Sequence, residues 1–301
     1  MGSIYAGLFA EAGHDVVAVD PWNDHVTEIN DKGLHLTGAS GDRLITGIRA
    51  STDASITAKS DLFVLATKGD AVGTAARSIA PFVTPDSLIV TIQNGLGAAE
   101  RIGAHIVTDQ VLLGVADGFG ASIKAPGHAH HSAMKLIRLG EIKGGLTERL
   151  TRVTEIWKGA GFNAKEFSDI QQLIWEKFLC NVTFSAPCAV FDCTLAEIMT
   201  NPDWWAIATG CTREAYAAGR AENVNFSFDD PIAYVTAFGQ SMPDARPSLA
   251  LDHRAGRRSE INAINGMVPI IAQRHNLEAP YNKTLATLIR AREETFGKPK
   301  L

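Results

Sequence analysis

The run Trp175-Glu176-Lys177-Phe178-Leu179-Cys180-Asn181-Val182-Thr183 sets a lysine and an asparagine four residues apart in an otherwise apolar stretch. On a helix that spacing puts both on one face. An ammonium partly withdrawn from water releases its proton more readily, so Lys177 reads as a candidate proton donor, with a snorkelling lysine at a helix edge as the equal alternative. A second polar group stands in Gly256-Arg257-Arg258-Ser259-Glu260-Ile261-Asn262-Ala263-Ile264-Asn265-Gly266, preceded by Pro247-Ser248-Leu249-Ala250-Leu251-Asp252. There Ser259, Glu260 and Asn262 interrupt apolar residues spaced for helix packing. Taken alone, Glu260 reads as a helix-surface carboxylate paired with Arg257 or Arg258.

Three further candidates sit where predicted strands end. Gln93-Asn94-Gly95-Leu96-Gly97 closes one strand, and ligands of open α/β sheets bind beyond such carboxyl ends, where the Asn94 amide can donate and accept; Asn-Gly also suits any tight turn. Lys68 follows another strand at the same sheet edge, either near a cofactor or as the start of a solvated loop. Asp20 ends a third, where an acidic side chain accepts hydrogen bonds from an adenosine ribose. Its carboxylate repels a 2′-phosphate, and Pro21, Trp22, Asn23 and Asp24 supply no cation to bind one. NAD(H) is therefore favoured over NADP(H), the alternative for Asp20 being a turn cap before Pro21.

The elements that must position these groups alternate through the first half of the chain, as in parallel βαβ units. Strands are predicted over Asp15 to Val19, Asp61 to Ala66, Ser87 to Gln93 and Val111 to Val115. Helices are predicted over Trp22 to Lys32, Asp70 to Val83 and Gly97 to Ile106. Leu34 to Thr37 and Leu44 to Ile48 form a hairpin around Gly41-Asp42, and an antiparallel passage from Ala121 to Leu139 finishes the sheet. After a helix over Thr147 to Gly159 and a short run Asn163 to Phe167, long helical patterns replace β-branched runs. The expected fold is α/β, a Rossmann-type doubly wound sheet over 1–166 followed by an all-α domain over 167–301.

Met1 to Ala12 reads as an amphipathic helix leading through Gly13-His14 into the strand that ends at Asp20. That order follows a G-x-G-x-x-G turn, with Gly2 as its third glycine, the one that lets helix and strand pack closely. The first strand and the other two glycines are expected to lie before Met1, so the chain is expected to begin inside the motif.

Composition narrows the partners. Of 301 residues 46% are apolar and 20% charged, enough to fill ordinary cores, while 28 basic against 33 acidic residues give a net charge of −5 and no block to neutralise a phosphate backbone. Nucleic acid is not an expected partner. No apolar run is long enough to span a membrane and no signal-peptide start is visible, so a cytoplasmic location is expected. Cys180, Cys188, Cys193 and Cys211 contain no CxxC pair and read as buried free thiols. His128, His130 and His131 have strand-face spacing without a carboxylate or thiol at ligand distance, and no metal is expected.

Together these residues resemble the ketopantoate reductases (2-dehydropantoate 2-reductases). The matches are Met1-Gly2-Ser3, Gln93-Asn94-Gly95-Leu96-Gly97, Glu176-Lys177 with Asn181, Ser248 with Asp252, and Ser259-Glu260-Ile261 followed by Ile264-Asn265-Gly266. The resemblance implies a Rossmann domain and a helical domain with the active site in the cleft between them. It implies Lys177 as general acid toward the keto oxygen of a 2-oxo acid, and Glu260 positioning lysine and substrate. Asn181 and Ser248 would bind the substrate's hydroxyl or carboxylate, and Ser185 stands where the family often has a second Asn. Asn94 would lie between nicotinamide ribose and substrate, with Lys68 flanking the cofactor. NADP(H) is the common family cofactor through a basic residue near position 21, which here is Pro21, and Leu251 stands where Gln is common. Two other readings remain: a mandelate-type NAD-dependent D-2-hydroxyacid dehydrogenase using the same Lys177 and Glu260 in a more apolar pocket, and a non-catalytic dinucleotide-binding homologue. A homodimer through the helical domain is the expected assembly.

Overall fold

The computed structural model describes residues 1–297, in two compact units. The first comprises Met1–Thr67, Ala71–Gln93 and Ala98–Ile170; the second comprises Lys68–Asp70, Asn94–Gly97 and the chain from Gln171 on. In chain order the first unit contains α1 (Gly2–Glu11), β1 (Val17–Val19), α2 (Asn23–Lys32), β2 (Leu34–Gly38), β3 (Arg43–Ile45), β4 (Arg49–Ser51), β5 (Leu62–Leu65) and α3 (Val72–Ile79). It continues with β6 (Leu88–Thr91), α4 (Ala98–Gly103), β7 (Val111–Asp117), β8 (Gly120–Ala125), β9 (His128–Ala133), β10 (Leu136–Glu141), α5 (Glu148–Gly159) and β11 (Ala164–Glu166).

Strands β5, β6 and β7 run parallel, with Leu62 opposite Leu88 and Ile89 opposite Val111. Their near-continuous apolar runs are what a sheet covered on both faces requires. Antiparallel β10 and then β11 complete the five-stranded order β11-β10-β7-β6-β5. β1 pairs in parallel with β4, a strand the sequence pattern hides because Arg49-Ala50-Ser51 has no apolar run. The Asn30 side chain fixes it, donating to the Ala50 carbonyl and accepting from the Ala50 N–H, both at 2.9 Å. β1 and β5 share no register, so the β1–β4 pair and the five-stranded sheet stand as separate sheets.

The hairpin β2–β3 forms as expected, but the later antiparallel passage divides. β8 and β9 pair with each other and β9 with β2, giving a third sheet ordered β3-β2-β9-β8; β10 alone joins the main sheet. Mostly exposed β8 (Gly-Ala-Ser-Ile-Lys-Ala) has no apolar face to bury in a central position, which suits it to an outer edge. His128 and His130 share one face of β9, both within hydrogen-bonding distance of Thr37 Oγ1, at 3.0 and 3.1 Å, whereas His131 is buried on the other face against Ser40. α1 buries Ile4, Tyr5, Leu8 and Phe9, and the Tyr5 and Phe9 rings each lie 5.1 Å from Trp157. Burying such side chains is worth about 1.5–3 kcal/mol each, which secures the start of this unit.

The second unit is helical: α6 (Ile170–Phe191), α7 (Leu195–Thr200), α8 (Pro202–Ala221), α9 (Pro231–Ser241), α10 (Ser248–Arg254), α11 (Met267–Arg274) and α12 (Pro280–Glu293), with no strand after β11 among the described residues. α6 is apolar around most of its circumference, as a helix wrapped by others must be, and buries Trp175, Phe178, Leu179, Val182 and Phe184. Start signals are explicit. A capping box joins Thr194 and Glu197, while Asn201 and Asp230 cap α8 and α9 ahead of Pro202 and Pro231. All four cysteines are free and buried. Among the described residues no helix is long and apolar enough to cross a membrane, and no group of three or more His, Cys, Asp or Glu side chains could hold a metal ion.

Candidate active site

The expected helix through Glu260 is instead a succession of turns. Gly256, at φ +65°, ends the passage out of α10, and α11 begins only at Met267. Between them Ile264 N–H donates to Glu260 O at 3.1 Å and Gly266 N–H to Ile261 O at 2.8 Å. These turns form a shelf that receives the two segments following β5 and β6. Leu96 N–H donates to Ala263 O at 2.9 Å. Gly95 sits at φ +84°, and a Cβ there would be 2.1 Å from the same carbonyl oxygen, so both conformation and space demand glycine. At Gly69 an added Cβ would come 3.1 Å from Ala263 Cβ.

This approach decides the partners of Glu260. Its Oε1 accepts from the Gly69 N–H at 2.8 Å, and the Asn94 amide donates to Oε2 at 3.5 Å. The pairing with Arg257 or Arg258 that the local sequence suggests is replaced. Arg257 Nε lies 3.0 Å from Asp252 Oδ1, and the other Asp252 oxygen accepts from Lys68 Nζ at 2.7 Å. Lys68 also reaches the Arg258 carbonyl at 3.0 Å. It is thus an anchored ammonium, half-exposed, rather than the start of a free loop. Asn262 donates to Asp70 at 3.2 Å and accepts from Arg290 at 2.8 Å, adding a third tie to the same segment.

Beneath the shelf lies a residue that the sequence did not single out. One oxygen of Glu293, at the end of α12, accepts from Ser259 N–H at 2.8 Å, from Ser259 Oγ at 2.5 Å and from His253 Nε2 at 3.1 Å. Ser259 immediately precedes Glu260, and His253 immediately follows Asp252. A single buried carboxylate therefore holds the neighbours of both site acids. The signals available in sequence were Gly69 and Gly95, small residues beside polar ones, but nothing local names Glu293.

Lys177 and Asn181 are half-buried one helical turn apart on α6, and Ser185, buried, follows by another turn. Glu176, next to Lys177, turns elsewhere, accepting from Ser227 N–H at 2.8 Å and Gln172 at 3.2 Å. Ser248 is the exposed first residue of α10.

In the first unit Asp20 follows β1, and its Oδ1 accepts from Trp22 N–H at 2.9 Å, the turn-cap contact. Gly2 opens α1, where an added Cβ would lie 3.4 Å from Ala66 Cβ. That helix start carries no side-chain cap and no acid in its first turn, so its N–H groups suit an anion. Trp22 stacks on His25 at 5.4 Å. His25 Nδ1 accepts from Gly127 N–H at 2.9 Å, which leaves the proton on Nε2, 3.2 Å from Ser3 Oγ. Burial holds this imidazole below the usual histidine range. A ribose acceptor and a helix start without an acid in its first turn are groups that could hold a dinucleotide.

The chain is similar to known proteins along nearly its whole length. Residues 1–144 match the family described as ketopantoate reductase PanE/ApbA, and residues 169–293 match ketopantoate reductase PanE/ApbA C terminal. A 2-dehydropantoate 2-reductase of Streptococcus pyogenes serotype M3 is 26% identical over 298 residues, covering 99% of this chain and 96% of the relative. Among solved structures, a PanE/ApbA family ketopantoate reductase from Ralstonia eutropha superposes with a TM-score of 0.87 at 25% identity, over 97% of this chain and 94% of that one. D-mandelate dehydrogenase with NADH and anilino(oxo)acetate gives 0.86 at 20% identity, over 98% and 96%, a likeness of fold.

Proposed function

The chain belongs to the ketopantoate reductase family, and from that premise we propose that it reduces a 2-oxo acid, 2-dehydropantoate, to the 2-hydroxy acid, a step of pantothenate biosynthesis. The observation that carries the reading is the Glu260 carboxylate. It gathers the segments after β5 and β6 onto the shelf beside Asp252, so that motif residues nearly two hundred positions apart meet. A bound nicotinamide dinucleotide supplies the hydride. Lys177 gives its proton to the substrate keto oxygen, and its positive charge stabilises the alkoxide that develops there. Glu260 orients the lysine and substrate; Asn181, Ser185 and Ser248 hold the substrate's hydroxyl and carboxylate. Asn94 and Lys68 serve the nicotinamide end of the cofactor, while Gly2 and Asp20 serve its pyrophosphate and adenosine ribose. Asp20, without a cation at positions 21–24, favours NAD(H) over NADP(H).

A second reading, a dehydrogenase of the mandelate type, is favoured by Leu251, which is apolar and 50% exposed beside Asp252. The test is reduction of 2-dehydropantoate and of phenylglyoxylate with each reduced cofactor, followed by absorbance. A higher kcat/KM on 2-dehydropantoate supports the first reading and preference for phenylglyoxylate the second. Dinucleotide binding without turnover of either acid would leave a non-catalytic homologue.

A further inference from the structure

The second unit carries two thiols that the proposed reaction does not use. α6 ends at Phe191, Asp192 adopts a left-handed conformation at φ +50°, and Cys193 N–H donates to the Cys188 carbonyl at 3.1 Å. This is the six-to-one bond of a Schellman cap, and Cys188 and Cys193 occupy the two positions whose side chains meet across it. Apolar residues ordinarily fill both. Here both positions are cysteine, with Cys188 Sγ 3.9 Å from the Thr194 carbonyl oxygen. Cys180 and Cys211 take no part in this cap.

Access and charge distinguish the pair. Cys193 lines an open cavity of about 500 Å³ whose wall includes Phe191, Glu197 and Trp204. Arg246 donates to the Asp192 carbonyl at 2.7 Å and lies 3.7 Å from the Glu197 carboxylate, while Arg254 pairs with the Asp192 carboxylate at 2.7 Å. The hydrogen bond from Cys188 holds the Cys193 thiol below the usual range against the opposing effects of burial and Glu197, and Arg246 adds to the lowering. The same bond, with burial, pushes Cys188 up. A thiolate is the nucleophile in sulfur chemistry, so Cys193 attacks and Cys188 resolves.

We propose that Cys193 and Cys188 form a redox-active dithiol that a hydroperoxide converts into an intramolecular disulfide. The Cys193 thiolate attacks a peroxide oxygen; an S–O bond forms, the O–O bond breaks, and the departing oxygen takes a proton to leave as water or an alcohol. Cys188 sulfur then attacks Cys193 sulfur; the S–S bond forms, the S–O bond breaks, and the oxygen leaves as water with the Cys188 proton. Two thiols lose two electrons and the hydroperoxide gains them.

The test treats the full chain with hydrogen peroxide, removes the oxidant with catalase, and alkylates under denaturing conditions before tryptic fragmentation. The peptide between Lys177 and Arg213 contains all four cysteines. The expected result is loss of two of the four alkylatable thiols, a mass lower by two hydrogens, alkyl groups on Cys180 and Cys211 only, and recovery of all four thiols with dithiothreitol. In Cys188→Ser, Cys193 should instead advance to the sulfinic acid. Four alkylatable thiols at a peroxide dose that fully oxidises free glutathione would overturn the proposal. So would a bridge to Cys180 or Cys211, or an oxygenated Cys193 beside a still-free Cys188. If Cys188→Ser does not fold, the alkylation map of the unaltered chain decides the matter.

Discussion

Glu141 in the first unit and Glu260 in the second are both drawn in from water, but they face different partners. Glu141 ends β10 almost fully buried, with Arg149 Nε 2.8 Å from Oε1, a second guanidinium N–H on Oε2, and Thr147 Oγ1 at 2.5 Å. Burial pushes its carboxyl up, yet the arginine and threonine outweigh burial and hold it below the usual carboxylate range. Glu260 takes its hydrogen bonds from a main-chain N–H and an amide delivered by two distant segments. A carboxylate clamped by guanidinium is neutralised on the spot and fastens β10 to the start of α5. One oriented by neutral dipoles still has a charge to direct at a lysine or a ligand.

The sharpest way to break this contrast is at the residue Glu260 is proposed to serve. Lys177→Ala should lower kcat by about two to four orders of magnitude and leave dinucleotide affinity unchanged, read by steady-state kinetics and fluorescence titration. Turnover close to that of the parent would remove Lys177 as proton donor. Glu260→Gln keeps an acceptor for Gly69 but loses the charge, and should cost about 100-fold in kcat/KM with little change in melting temperature. Glu141→Gln should do the reverse. Removing the charge that faces Arg149 costs about 1.5–3 kcal/mol, a fall in melting temperature of roughly 3 to 12 °C, while kcat of the folded enzyme holds. If both variants lose stability and activity alike, the distinction between the two acids fails.

Acid titration sharpens the same comparison. Because the folded Glu141 carboxyl lies below its unfolded value of about 4.3, its contribution is complete above that value and is lost as pH falls through the folded one. His25 and His131, held below the usual histidine range by burial, also lose stability on acidification, but at higher pH. Denaturation midpoints of the parent and Glu141→Gln should therefore fall together from neutrality and converge below roughly pH 4. A constant gap down to lower pH would mean that the carboxylate charge is not what stabilises β10 and α5.

Strands β5 to β7 were legible in the sequence because burial on both faces leaves an unbroken apolar run, and α5 and α6 because their patterns are long. β4 was not, since Arg-Ala-Ser owes its pairing to Asn30 rather than to its own side chains. The local pattern of β8 and β9 announced antiparallel strands but not which sheet would take them. At the site, residue types were readable and their setting was not. Ile261, Ile264 and Val268 keep helical spacing, and only the left-handed Gly256 and the close packing of Gly69 and Gly95 reveal turns instead. Glu293 acts through Ser259 and His253 from the end of another helix, a relation that exists only after folding.

The smallest expected effect bears on Asp20, a first-unit acid that, like Glu260, accepts a hydrogen bond from a main-chain N–H. Trp22 N–H occupies Oδ1 at 2.9 Å, so the carboxylate shapes the turn. A 2′-phosphate brought beside it would face a like charge, worth about 1 to 4 kcal/mol at 4 Å depending on exposure. kcat/KM should therefore favour NADH over NADPH by about fivefold or more. Asp20→Asn preserves an oxygen for Trp22 N–H while removing the charge, and should narrow that preference with the turn intact. Asp20→Ala should narrow it as well and lower dinucleotide affinity further, because the turn also loosens. If Asp20→Asn leaves the ratio untouched while Asp20→Ala weakens both cofactors equally, Asp20 is a turn cap and nothing more. Higher kcat/KM with NADPH in the unaltered chain would overturn the charge argument itself.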